Sequence, residues 1–224
     1  MKKNYYGFIV AFMCVVTPYM YRAAGDQLGK THFIVGYDHK KSARVERKKI
    51  KTEDGARSFD EQSATQAFFT SRHDVRSIIS SLLNTAQKTL LVAAFTVTDK
   101  GIVECLKKAH KRGVNVQVVT DQGTMRERSS KIKMLMNASI PVFSYNHLLN
   151  PNPKQKEVRY TPLMHHKFIV IDDKAVITGS SNLTHAGQVR NMENIVVIRD
   201  KSTVTEYAKE FTHLKTTCVT CSAE

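Results

Sequence analysis

From residue 65 onward the apolar positions switch repeatedly between two spacings, and each switch marks an element. Residues 66–70 (QAFFT) read as a short strand. Over 74–87 the apolar side chains fall at Val75, Ile78, Ile79, Leu82, Leu83 and Ala86, one face of a helix that Asp74 can cap. Residues 89–95 (TLLVAAF) read as a buried strand. A second helix starts at Asp99, runs through Ile102, Val103, Leu106 and Ala109, and closes at Gly113. Residues 114–120 are the next strand, 129–138 a basic amphipathic helix and 141–145 a further strand. The segment 146–162 has three prolines and no period, so it reads as a long loop.

The later part changes character. Two strands, 166–171 and 175–178, are separated by the turn Asp172-Asp173-Lys174. A strand over 194–199 and a helix over 203–214 follow. Strands alternating with helices imply an α/β fold: a mixed, mostly parallel sheet with helices on both faces. The folded domain is placed at 63–216, with a short tail over 217–224.

The amino-terminal segment follows none of these periods. Met1-Lys2-Lys3 precedes an apolar run over 7–16, the pattern of a signal peptide or membrane anchor within 1–25. This predicts export, periplasmic or secreted, or membrane association through that segment. Residues 26–62 read as a basic linker; 40–51 hold seven basic residues and one Glu. A solvated linker, a lipid-facing patch and an extra nucleic-acid contact all fit that segment.

Composition narrows the classes. With 42% hydrophobic and 24% charged residues in 224, the chain can bury a core and is not a disordered protein. Its four Cys are too few for a disulfide scaffold. The net charge is +14, from 34 Lys+Arg and 20 Asp+Glu. Residues 63–224 alone hold 22 against 13, so the folded part is itself basic, which suits a polyanionic partner.

The chemistry concentrates in one stretch: His165, Lys167, Asp172, then Gly179-Ser180-Ser181-Asn182, then Glu193. Side chains alternate along a strand, so His165 and Lys167 share a face while His166 points away. An imidazole beside an ammonium suits phosphoryl transfer: one attacks phosphorus or moves a proton, the other neutralises an oxygen. Ser180 and Asn182 can donate to phosphate oxygens, and Glu193 can orient the imidazole. Adjacent His165 and His166 lack a ligand set for a metal, and no cofactor is called for. Cys218-Val219-Thr220-Cys221 is a lone pair of thiols, a disulfide candidate on export.

Taken together, H-x-K-x(4)-D-x(6)-G-S-x-N resembles the HKD signature of the phospholipase D superfamily, matched at every defined position by His165, Lys167, Asp172, Gly179, Ser180 and Asn182. The segment Asn191-Met192-Glu193-Asn194 resembles the family's Glu-containing stretch. The pattern upstream, from Phe68 to Thr120, resembles the small bacterial endonuclease branch. The resemblance implies a metal-independent phosphodiesterase working through a phosphohistidine. It implies His165 as nucleophile, Lys167, Ser180 and Asn182 as the phosphate cradle, Glu193 as the residue that orients His165, and a supporting role for Asp172. Family enzymes join two motifs at one site, and this chain has one, which implies a homodimer with a composite active site. Two departures stand out: Thr70-Ser71 where the branch has Ser-Pro, and the basic 146–162 loop before His165. That loop reads either as a grip for single-stranded nucleic acid or as a variable surface loop. DNA or RNA is the first substrate reading and phospholipid the second. A catalytically idle binding protein is the third, which the intact His, Lys, Ser, Asn and Glu set opposes.

Overall fold

The computed structural model describes residues 63–146 and 162–222. The leader, the linker and most of the 146–162 loop lie outside the described residues. Along the chain run β1 (Thr65–Phe69), α1 (Val75–Thr85), β2 (Thr89–Ala94), α2 (Lys100–Lys111), β3 (Asn115–Asp121), α3 (Gln122–Met125), α4 (Ile132–Met136) and β4 (Val142–Tyr145). Then follow β5 (Lys167–Ile171), β6 (Ala175–Gly179), α5 (His185–Val189), β7 (Asn194–Ile198), α6 (Lys201–Thr216) and β8 (Cys218–Cys221).

The strands form one sheet in the order β1-β7-β6-β5-β2-β3-β4-β8. Strand alternation splits its side chains between two layers. Leu90, Val92, Val116, Val118, Ile169 and Ile171 pack under α1, α2 and α4. Ala93, Val119, Phe168 and Val170 pack with Val204, Phe211 and Leu214 of α6. Helices therefore cover both faces, as the alternating pattern predicts.

The balance of strand directions differs from the expectation. Only β2·β3 and β3·β4 are parallel; the other five pairings are antiparallel. Two helical crossovers, through α2 and through α3 and α4, enforce the parallel pairs. On the other side of β2 the strands β5, β6, β7 and β1 alternate in direction, with a tight turn joining β5 to β6.

Local chemistry fixes the helix ends. Asp74 and Asp99 each accept a 3.0 Å bond from the amide three residues on, and Gly113, at φ 91°, closes α2. The helix expected over 129–138 is the shorter α4, which ends where Ser139 turns left-handed at φ 59°.

The segment expected as a tail is the edge strand β8, antiparallel to β4. Cys218 faces the α6 layer and Cys221 the opposite one, so the two thiols are free and on opposite sides of the sheet. Three residues apart on a strand means about 10 Å between Cα atoms, beyond the reach of a disulfide. Burial pushes the Cys218 thiol up to about 11. Among the described residues no helix is long and apolar enough to cross a membrane.

Candidate active site

The candidate residues meet at one end of the central strands. His165 precedes β5, and the main chain at His166 is tied to β2 by a 2.9 Å bond from the Phe95 amide. Lys167 is the first residue of β5 and pairs with Ala94. The β5·β6 register runs from Ile171↔Ala175 to Phe168↔Thr178, which carries Ser180 to the same end. There Ser180 meets the start of β7: the Asn194 amide donates to Ser180 Oγ at 3.1 Å. Gly179, at φ 150°, permits this approach, because a Cβ would run into Asn194 O and sit 2.9 Å from Ile195 Cα.

His165 and Lys167 share a face, as their parity predicts. Lys167 Nζ donates to the His165 carbonyl at 2.9 Å and lies 3.2 Å from His165 Nδ1. The imidazole packs against Phe95, ring centres 4.6 Å apart, and Lys167 Nζ sits 5.5 Å from the same ring centre. Burial lowers the pKa of His165, and the Lys167 ammonium lowers it further; Asp121 opposes the shift. A lowered value keeps the imidazole neutral near pH 7, the form that can attack phosphorus. Burial also lowers Lys167, with the charge of Glu193 acting against it.

His166 points to the other face, as expected. It lies 3.3 Å from Glu210 on α6 and packs edge-on to Phe168. The other described histidines near strand ends are engaged elsewhere: His73 takes the Phe69 amide, and His185 lies 3.9 Å from Asp99.

Glu193 is brought to the site, but its partners differ from the expected one. Its carboxylate accepts the Ser180 hydroxyl and, at 3.2 Å, the Asn191 side-chain amide. Within the chain it thus holds Ser180 and influences Lys167 rather than bonding the His165 ring. Asn182 is half-buried, and its buried Oδ1 has no partner among the described residues.

Asp172, the motif residue expected in a supporting role beside the catalytic His165 and Lys167, lies away from them. It sits at the opposite end of β5, where its carboxylate accepts the main-chain amides of Gln87, Lys88 and Thr89 at 2.8, 2.7 and 2.8 Å. It is the pin that fastens the β5–β6 turn to the start of β2, and those amides hold its pKa below the usual carboxylate value.

Three residues that the sequence did not assign to the site build its walls. Thr70 accepts the Glu193 amide at 2.8 Å and donates to Asn191 O at 2.6 Å, so the Thr70-Ser71 departure still anchors the Glu-bearing segment. Thr124 donates to the Phe95 carbonyl. Asp121 accepts the Met164 amide at 3.1 Å. None carries a local signal, since each acts on the main chain of a distant segment. The assembled set offers a neutral nucleophile, an ammonium and a hydroxyl, groups that grip and attack a tetrahedral phosphate. Among the described residues no three His, Cys, Asp or Glu side chains converge as a metal site.

Comparison with known proteins agrees in kind. The family model described as "Cardiolipin synthase, PLD-like domain" matches residues 79–215. A phospholipase D of Rickettsia bellii is 30% identical over 151 residues, covering 67% of this chain and 68% of the relative. A mitochondrial cardiolipin hydrolase of Xenopus tropicalis is 33% identical over 133 residues, covering 59% and 57%. Among solved structures, the phospholipase D family member Nuc from Salmonella typhimurium superposes with a TM-score of 0.61 at 25% identity, over 70% of this chain and 97% of Nuc.

Proposed function

The chain belongs to the phospholipase D superfamily, and from that membership and its phospholipase D and cardiolipin hydrolase relatives we propose that it is an endonuclease cutting DNA or RNA through a phosphohistidine on His165. The observation that carries the substrate reading is the distribution of charge. Residues 63–146, the part that includes α1 to α4, hold 12 Lys+Arg against 5 Asp+Glu, whereas 162–222 hold 7 against 6. A polynucleotide presents a phosphate at every step and rewards a broad basic surface; a lipid headgroup presents one or two at a single point.

In the proposed reaction the His165 imidazole forms an N–P bond while the P–O bond to the leaving nucleotide breaks. A second imidazole gives its proton to the leaving oxygen. Water then attacks phosphorus, the same imidazole takes its proton, and His165 is released with a phosphate monoester end. Lys167, Ser180 and Asn182 hold the equatorial oxygens. The described histidines other than His165 are engaged elsewhere or lie on helices, so the second imidazole is assigned to His165 of another copy, across a two-fold axis. The proposed enzyme is therefore a homodimer with a composite site and needs no cofactor.

A phospholipid reading has its own support. Leu163 and Met192, 52% and 85% exposed, lie beside His165 and Glu193 in the chain, apolar side chains suited to entering a lipid surface. The test offers the full chain single-stranded DNA, duplex DNA, RNA, phosphatidylcholine vesicles and cardiolipin vesicles, all in EDTA. Consumption of nucleic acid with lipid intact supports the nuclease. The reverse makes it a phospholipase, and activity only after adding a divalent metal overturns the mechanism.

A further inference from the structure

The segment that leads into His165 is seated by a carboxylate from another part of the fold. Asp121 ends β3 and is 5% exposed. Its Oδ1 accepts the Gly123 amide at 2.9 Å, and its Oδ2 accepts the Met164 amide at 3.1 Å. The second bond crosses 43 residues of chain and lands on the residue immediately before His165. Residues 162–166 lie outside any strand, so no ladder fixes them. Met164 itself is buried, 3% exposed, in the α6-side core.

The same β3–α3 corner grips the surroundings of the ring. Thr124 donates to the Phe95 carbonyl, and Thr120 donates to it at 3.3 Å. The Phe95 amide donates to His166 O at 2.9 Å, and the Phe95 ring packs on the imidazole. One corner thus holds the Met164 amide before His165, the aromatic wall beside the ring and, through Phe95, the His166 carbonyl after it. A buried carboxylate needs partners to offset its desolvation, and here one of the two lies at the nucleophile.

We propose that Asp121 is a positioning residue for His165: its buried carboxylate seats the Leu163–Met164 peptide and so fixes the main chain that enters His165. The inference rests on His165 being the nucleophile. Attack on phosphorus needs a fixed imidazole, and a displacement of about 1 Å costs up to about 100-fold in rate. The charged and titratable groups acting on His165 are Lys167, His166 and Asp121, with Glu193 acting on Lys167. Asp121 is the one among them that raises the pKa of His165, so its loss lowers that value further.

The test uses the full chain and bis(p-nitrophenyl) phosphate, a phosphodiester that favours neither nucleic acid nor lipid. Asp121→Asn is expected to reduce kcat about 10- to 100-fold with KM little changed. It is also expected to move the acid limb of the pH–rate profile to lower pH, a shift that a loss of packing alone does not produce. A wild-type kcat and an unmoved limb would overturn the inference while leaving His165→Ala inactive. An active His165→Ala would instead defeat the nucleophile assignment on which it rests. Hydrogen exchange on the unsubstituted protein keeps the test open if Asp121→Asn does not fold: the Met164 amide is expected to be protected although it lies outside the sheet, and exchange at the free-peptide rate refutes the bond.

Discussion

Replacing Asp172 with asparagine removes one charge from a place built to hold it and leaves the backbone free to keep its shape. Asp172 and Asp173 turn at φ 51° and 52°, a left-handed conformation that asparagine tolerates as readily as aspartate. What the change disturbs is the pin: three amides aimed at one carboxylate at 2.7–2.8 Å. A hydrogen bond to a charged group is worth about 1.5–3 kcal/mol when buried. Asp172 is only half-buried, so solvent screening reduces the set to a total of about 2–3 kcal/mol. For a domain of this size that is a fall in Tm of about 4–12 °C.

The sign with pH follows from the direction of the shift. The carboxyl titrates below its ordinary 3.8 in the folded state. Its stabilisation is therefore complete above about pH 4 and is lost as pH falls through the folded value. The gap between wild type and Asp172→Asn should be constant from pH 5 to 8 and close in acid. Turnover by the folded variant should match wild type, because the carboxylate is about 20 Å along β5 from His165. Thermal unfolding monitored by circular dichroism, paired with kcat below the melting transition, checks both halves. An unchanged Tm, or a normally stable variant that has lost 100-fold in kcat, would refute the pin and return Asp172 to the chemistry.

His165→Ala should abolish turnover and leave Tm nearly unchanged, because the ring is exposed; His166→Ala should keep turnover and cost under about 1 kcal/mol by thermal unfolding, since its contact with Glu210 is also exposed. Lys167→Gln should raise the His165 pKa toward 6.5, as the ammonium is the largest charge effect lowering it; a further fall in an NMR titration of the ring would contradict this. Gly179→Ala should cost on the order of 1–3 kcal/mol in strain and shift Ser180, lowering both Tm and kcat; a silent substitution would show that the β6–β7 approach is loose. Mixing wild type with an equal amount of His165→Ala should halve the activity per wild-type chain after subunit exchange, since about half of those chains then pair with a mutant. Unchanged activity per wild-type chain would remove the composite site.

How much of this was legible in the sequence depends on how far apart the interacting groups lie along the chain. Parity alone placed His165 and Lys167 on one face and His166 on the other, because that rule needs only neighbouring residues. The caps at Asp74 and Asp99 were readable for the same reason: donor and acceptor are three residues apart. The helices α3 and α5 span four and five residues, under two helical periods, and so left no mark; β8 reads C-V-T-C, with no apolar alternation to show it. Strand direction was misjudged because an apolar run such as 89–95 is the same in either direction; the pairing decides it, and β5, β6 and β7 each pair antiparallel with their neighbours. Asp172 shows the limit of motif reading. Its place in the signature suggests chemistry, yet its partners are the peptide amides of residues 87–89. Asp121, Thr70 and Thr124 act in the same way, each on the main chain of a remote segment. A peptide group has no residue identity, so such a bond leaves no second half of a motif to find. The reacting groups are written in side-chain types, whereas the groups that hold them in place are written in contacts that only the folded chain displays.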